Sequence, residues 1–178
     1  MKCAIQLVFN NETQTIINQL RETLVANGVH DEAVPINHIS LADIEIEDNQ
    51  LPLLESILEK FSKNHKSLNL VLSSAGSFMS KENVLFLCPT MTEDLTKYND
   101  ELISILRENN IPCGKYYTKN NWQPHCTISI RITDNELFTG FKTLKENNIL
   151  PMPVIANAID LLCYDPKPYK ELIRFNLN

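Results

Sequence analysis

Trp122-Gln123-Pro124-His125-Cys126-Thr127-Ile128-Ser129-Ile130-Arg131-Ile132 is the stretch from which the rest of the chain can be read. Cys126, Ile128, Ile130 and Ile132 alternate with His125, Thr127, Ser129 and Arg131, the two-residue period of a strand with one face in the core and one in water. In an extended strand, positions i and i+2 project to the same side roughly 6.5–7 Å apart, so His125 and Thr127 aim an imidazole and a hydroxyl into one space. Arg131 shares that parity but lies four residues on, about 13 Å along the strand, which makes it a rim residue.

Outward from this strand, a helix is expected over Asp134 to Glu146, and upstream come a strand at Val84 to Cys88 and a helix from Glu93 to Asn109 with Leu95, Leu102, Ile105 and Leu106 as its apolar stripe. The first half of the chain runs in the same order. A strand at Cys3 to Phe9 leads to a helix from Glu12 to Ala26 closed by Gly28, then to a strand at Ile36 to Ile46, a helix at Leu51 to Lys63 and a strand at Leu68 to Ser74. His38-Ile39-Ser40 occupies the place of His125-Cys126-Thr127, with the histidines 87 residues apart. Its apolar face is Ile39 and Leu41, and the phase slips near Asp43-Ile44, the mark of a bulge or a strand end. Asp48-Asn49-Gln50-Leu51 and Asp134-Asn135-Glu136-Leu137 open equivalent helices, with capping-box spacing at Thr133 and Glu136 and a weaker echo at Glu47 and Gln50. Two more strands, Val154 to Cys163 and Leu172 to Leu177, flank the turn-prone Asp165-Pro166-Lys167-Pro168. The expected fold is α+β with two pseudo-symmetric lobes in one domain, 1–178, carrying an internal repeat of about 1–80 and 81–178.

His-x-Ser/Thr is by itself a weak pattern: four histidines and 21 Ser or Thr in 178 residues give about half a match by chance. A third match, His65-Lys66-Ser67, sits between a helix and a strand with no alternating frame, and reads as solvated surface. A single histidine on a sheet face reads as an internal hydrogen bond; two in equivalent places, brought together by a pseudo-two-fold, read as a site. One neutral imidazole removes a proton from an attacking oxygen, the other, protonated, supplies one to a leaving oxygen, and the hydroxyls hold the non-bridging oxygens of a phosphodiester. No metal or cofactor is expected. A metal-assisted hydrolase using His38, His125 and Asp43 finds no tight ligand spacing.

Trp122-Gln123-Pro124-His125-Cys126-Thr127-Ile128, with Leu68 to Leu72, Gly76-Ser77-Phe78, Val84 to Leu87 and the closing run Tyr169 to Leu177, resembles the 2H phosphoesterase superfamily of RNA 2′,3′-cyclic phosphodiesterases and 2′–5′ RNA ligases. The resemblance implies a bilobal fold of antiparallel sheet with helices outside and a central groove. It also implies metal-independent opening or formation of a 2′,3′-cyclic phosphate or 2′–5′ linkage on a nucleotide or RNA end. His38 and His125 carry over as catalytic, with His125 as base and His38 as acid, and Ser40 and Thr127 as phosphate-binding. Ser40 stands where threonine is commoner, and Asn37 precedes the first histidine where proline is often found. The alternative is a non-catalytic module that binds phosphorylated RNA ends or nucleotides in the same groove.

Tyr116, Tyr117 and Trp122 crowd the approach to His125 and suit either base stacking or loop anchoring. Lys115 and Lys119 lie nearby. Cys126 faces away from its neighbour His125 and belongs to the core, Ser73 to Ser77 lacks a phosphate-loop pattern and reads as a turn, and His30 reads as surface. The net charge of −6 argues against an extended nucleic-acid surface. Five scattered cysteines without Cys-x-x-Cys spacing indicate neither a disulfide framework nor a zinc site. No membrane span or signal peptide is read, and a cytoplasmic monomer is expected.

Overall fold

A computed structural model of the chain describes residues 1–32, 36–79, 82–165 and 169–178. Among them are seven strands and four α-helices: β1 (Lys2–Phe9), α1 (Asn11–Ala26), β2 (His38–Glu45), α2 (Leu51–Asn64), β3 (Leu68–Phe78), β4 (Asn83–Pro89), α3 (Glu93–Glu108), β5 (Cys126–Ile132), α4 (Asp134–Glu146), β6 (Met152–Asp165) and β7 (Lys170–Asn176). The fold is α+β, and its seven strands pair antiparallel throughout. The turn expected at Pro166-Lys167-Pro168 lies outside the described residues.

The helices start where short polar side chains take up orphan N–H groups. Asn10 accepts from Thr13 N at α1, Thr92 from Leu95 N at α3, and Thr133 with Glu136 closes a full capping box at α4. The Glu47 and Gln50 echo is a real box as well, around a 3₁₀ turn, Asp48–Gln50, that leads into α2. Each helix presents its apolar stripe to the sheet; α2, for example, buries Leu54, Ile57, Leu58 and Phe61.

The sheet order is β2-β1-β6-β3-β4-β5, with β7 beside β6. Exchanging the two repeats, β1 with β4, β2 with β5 and β3 with β6, turns this order into itself read backwards. The repeats are interleaved: α1, from the first, packs on β5 and α4, whereas α3, from the second, packs on β2. The edge strands β2 and β5 approach each other, and each begins at or directly after a His-x-Ser/Thr histidine.

Four expectations are corrected. In β5, Leu85 faces Ser129 and Phe86 faces Thr127, so Ile128 is an extra residue, and Arg131 is another between Ile130 and Ile132. These bulges end the simple alternation: Ser129 turns inward, is 2% exposed and donates to His30 O. In β2 the bulge is at Leu41, between the pairs Gln6–Ser40 and Ile5–Ala42, earlier than the slip near Asp43. Ser73 to Ser77 is no turn, since β3 runs on to Phe78 against β4. Finally, Cys3 and Cys163 are direct partners across β1 and β6 and form a disulfide, invisible in the sequence because 160 residues separate them.

His65 is also no surface residue. Its ring stacks on Phe61 with centroids 3.8 Å apart, Nδ1 donates to Phe61 O, and Nε2 meets Glu101 of α3 at 2.8 Å. Its backbone carbonyl accepts from Asn178 N, so it joins α2, α3 and the chain's last residue. This is a packing role, and it separates the third tripeptide from the other two.

Candidate active site

His38 opens β2 at 7% exposure. Asn37 before it is held by α1: its backbone N–H and its Nδ2 both donate to Gln14 Oε1, Nδ2 also reaches Asn18 Oδ1, and Gln14 Nε2 returns a bond to Asn37 O. In the second motif the same rigidity comes from Pro124, whose ring fixes φ. The imidazoles are tethered alike. His38 Nδ1 lies 2.7 Å from Ile36 O and His125 Nδ1 lies 2.7 Å from Gln123 O, in each case the carbonyl two residues upstream. A carbonyl only accepts, so both Nδ1 atoms carry hydrogen and both Nε2 atoms of the neutral rings carry a lone pair.

His125 rests on an aromatic wall from β3 and β4. Phe78 meets its ring edge-on at 4.9 Å and Phe86 lies tilted at 5.0 Å. Phe86 in turn covers Gly76, where an added Cβ would fall 2.6 Å from the phenyl ring. Thr127 pairs with Phe86 and shares this face. On the first lobe, Ser40 pairs with Gln6, Gln6 with Asp160 and Asp160 with Arg174, one row of polar side chains across four strands. Asp160 is fully buried, and burial raises its pKa to about 6 against the pull of Arg174 at 3.0 Å.

The two motifs meet. His38 feels the charge of His125, the Cys126 thiol reaches the His38 backbone, and Trp122 Nε1 donates to Ser40 O at 3.0 Å. Burial lowers the His38 pKa to about 4, with His125 and Arg21 adding to the shift and the Ile36 bond opposing it. Burial lowers His125 as well. Near neutral pH both imidazoles are therefore uncharged bases, and a bound anion favours protonation of either. Such a pair can accept one proton and deliver another on opposite sides of a phosphorus atom.

The remaining expected residues fall in different places. Tyr117 is half-buried with its hydroxyl at Ser40, while Tyr116 is 68% exposed beneath the Lys115 ammonium. Trp122 packs against the core and anchors its loop through the Ser40 bond. Arg131, placed on the rim by parity, is drawn by its bulge into ion pairs with Glu32 at 2.5 Å and Glu82 at 3.9 Å. Lys119 pairs with Asp100. Cys126 is buried, as expected. Sequence reasoning missed Phe78 and Phe86, Arg21, and the Tyr164 hydroxyl that donates to Asp43 Oδ1 at 2.5 Å across 121 residues. The Leu41 bulge puts Asp43 on the Ser40 face, because Asp43 pairs with Ala4 and Ser40 with Gln6. No group of three or more His, Cys, Asp or Glu side chains placed to hold a metal occurs among the described residues.

The sequence matches the model of the 2′-5′ RNA ligase superfamily over residues 9–167. No curated protein matches it. Among solved structures, TT0787 of Thermus thermophilus superposes with a TM-score of 0.65 at 15% identity, covering 99% of this chain and 98% of that one. LigT of E. coli in apo form gives a TM-score of 0.66 at 14% identity over 99% and 96% of the two chains. The LigT complex with 3′-AMP gives 0.65 at 14% identity with the same coverage. At these identities the likeness establishes the fold.

Proposed function

Since this chain belongs to the 2′-5′ RNA ligase superfamily of 2H phosphoesterases, we propose that it is a metal-independent phosphodiesterase that opens, or in reverse forms, a 2′,3′-cyclic phosphate or 2′–5′ linkage on a nucleotide or RNA end. The observation that carries this reading is the matched tethering of His38 and His125, each Nδ1–H bound to the carbonyl two residues upstream. Both Nε2 atoms are thereby left for chemistry. The complex of E. coli LigT with 3′-AMP supports a nucleotide as ligand.

In the proposed reaction water attacks phosphorus and gives its proton to one Nε2. The bond to one ribose oxygen breaks, and that oxygen takes a proton from the other imidazolium Nε2–H. Ser40 and Thr127 hydroxyls donate to the non-bridging oxygens as charge gathers there. His38, with the lower pKa, is the better placed base, and His125, which keeps a proton to higher pH, the better acid. This assignment reverses the one implied by resemblance.

Turnover of 2′,3′-cyclic nucleotides in the presence of chelator, followed by phosphorus NMR, tests the reaction. His38→Ala and His125→Ala should each lower kcat by about 10²–10⁴. Roles separate on a phosphodiester with a nitrophenolate leaving group, which needs no acid: His125→Ala regains activity there and His38→Ala does not. Phosphate-dependent binding of unchanged ligand by the wild type would replace this reading with that of a binding module.

A further inference from the structure

The residues that carry the two groove hydroxyls share one more feature. Ser40 O accepts from Trp122 Nε1 at 3.0 Å, and Thr127 O accepts from Arg21 Nη2 at 3.1 Å. The donors come from opposite repeats. Trp122 precedes the second motif and holds the first; Arg21, on α1 of the first repeat, holds the second. Both are planar N–H donors aimed at the backbone carbonyl of the third residue of His-x-Ser/Thr. Neither bond follows from strand pairing, because β2 and β5 are the two ends of the sheet order.

The two clamps differ in charge and burial. Trp122 is neutral and half-buried, packed against the core. Arg21 is 6% exposed, a guanidinium placed between α1 and β5 with Cys126 and Asp31 close enough to feel its charge. Burying a guanidinium is costly unless it is hydrogen-bonded and its charge is used. Its field extends through the strand, since His38 loses proton affinity to it and the Cys126 thiol senses it. A leucine at this helix position, like Leu20 and Leu24 beside it, would pack without that penalty.

We propose that Arg21 and Trp122 are reciprocal positioning residues, each supplied by one repeat to lock the hydroxyl-bearing residue of the other, and that Arg21 also supplies buried positive charge behind the site for a phosphate dianion. The clamps make the site a joint product of both repeats: one bond ties β2 to the loop before β5, the other ties α1 to β5. Neither residue touches the reacting atoms; each acts through Thr127 or Ser40. The inference rests on the phosphoesterase reading for its ligand, not for its geometry.

The test compares wild type with Arg21→Met, Arg21→Lys and Trp122→Phe, using inorganic phosphate titrated against the histidine Cε1–H resonances and steady-state hydrolysis of a 2′,3′-cyclic nucleotide. Arg21→Met should weaken phosphate binding about tenfold and lower kcat by a similar factor, while Arg21→Lys, which keeps charge without the planar fork, recovers phosphate affinity but not kcat. Trp122→Phe keeps an aromatic ring but removes the N–H together with part of the indole bicycle; its kcat should fall about fivefold with KM within twofold. Wild-type phosphate affinity in Arg21→Met together with wild-type kcat in Trp122→Phe overturns the proposal. So does recovery of kcat by Arg21→Lys together with affinity, for then charge alone matters and no clamp exists. Unfolding of Arg21→Met leaves the Lys and Phe variants to decide. If wild type binds phosphate but turns over no cyclic nucleotide, the enzymatic reading falls; phosphate affinity then still judges the charge of Arg21, and the His38 and His125 Cε1–H resonances, which should shift in both Arg21→Lys and Trp122→Phe, judge the clamps, unchanged resonances overturning them; if it does not bind phosphate, both readings fall.

Discussion

His38 retains 7% of its surface and a pKa of about 4, so its proton equilibrium ties stability to pH. In the unfolded chain the same ring titrates near 6.5. Below that value the unfolded state takes up a proton that the native state refuses, and stability falls as pH drops from 6.5 to about 4. At about 1.4 kcal/mol per unit the loss reaches roughly 3 kcal/mol. His38→Gln should remove this part of the slope, which urea unfolding at pH 7 and pH 4.5 would measure; an unchanged slope would place the ring in water. In the proposed reaction His38 and His125 also set the rate. With the base near 4 and the acid below 6.5, kcat/KM should peak on the acid side of neutrality and decline through pH 7. A pH–rate profile in the free-enzyme regime checks this. His125 was legible from Pro124 and the following isoleucines, but its tether to Gln123 O, its Phe78 and Phe86 wall and its lowered pKa were not, because burial by a distant strand has no local signature.

The existence and order of the strands and helices were legible because periodicity is a local property. α4 spans Asp134–Glu146 as its capping box and apolar stripe require. Bulges were not legible. Whether Leu41 or Ile128 becomes the extra residue depends on the register of β1 or β4, which is set by what packs across the sheet. Both bulges matter to the site, since one turns Asp43 toward Ser40 and the other turns Ser129 inward. The β3 segment that looked like a turn is instead the strand that carries Gly76 under Phe86. Gly76→Ala should push the Phe86 ring off His125, costing about 1–3 kcal/mol of stability and reducing turnover. Restoring both with Phe86→Leu in the double variant would show that the clash is with that ring; failure of the rescue would point to the backbone instead.

We propose that the chain folds as one unit, because its two halves exchange strands. β3 belongs to the first repeat and pairs with β4 of the second, and β6 of the second pairs with β1 of the first. Fragments 1–80 and 81–178 should each be unfolded alone by circular dichroism and regain structure on mixing; an independently folded half would contradict the interleaving. The Cys3–Cys163 bond closes nearly the full chain, its ends at a sequence separation of 160. A loop of that length restricts the unfolded state by about 2–5 kcal/mol, so Cys163→Ser should lower the unfolding free energy measured in urea by that amount under oxidising conditions and by nothing in excess reductant. No helix among the described residues is long and apolar enough to cross a membrane.

By itself the sequence determined the order of elements, the duplicated plan and the two tripeptides, because hydrophobic period, capping residues and Pro124 act within a few residues of where they stand. Only tertiary structure decided how the two histidines are held, what surrounds them and how the two motifs are tied together. Those properties come from contacts between residues distant in the chain: Arg21 on Thr127, Trp122 on Ser40, Tyr164 on Asp43, Cys3 on Cys163. Each is fixed by the packing of one repeat into the other, and burial, which sets the pKa of both histidines, is a property of that packing alone.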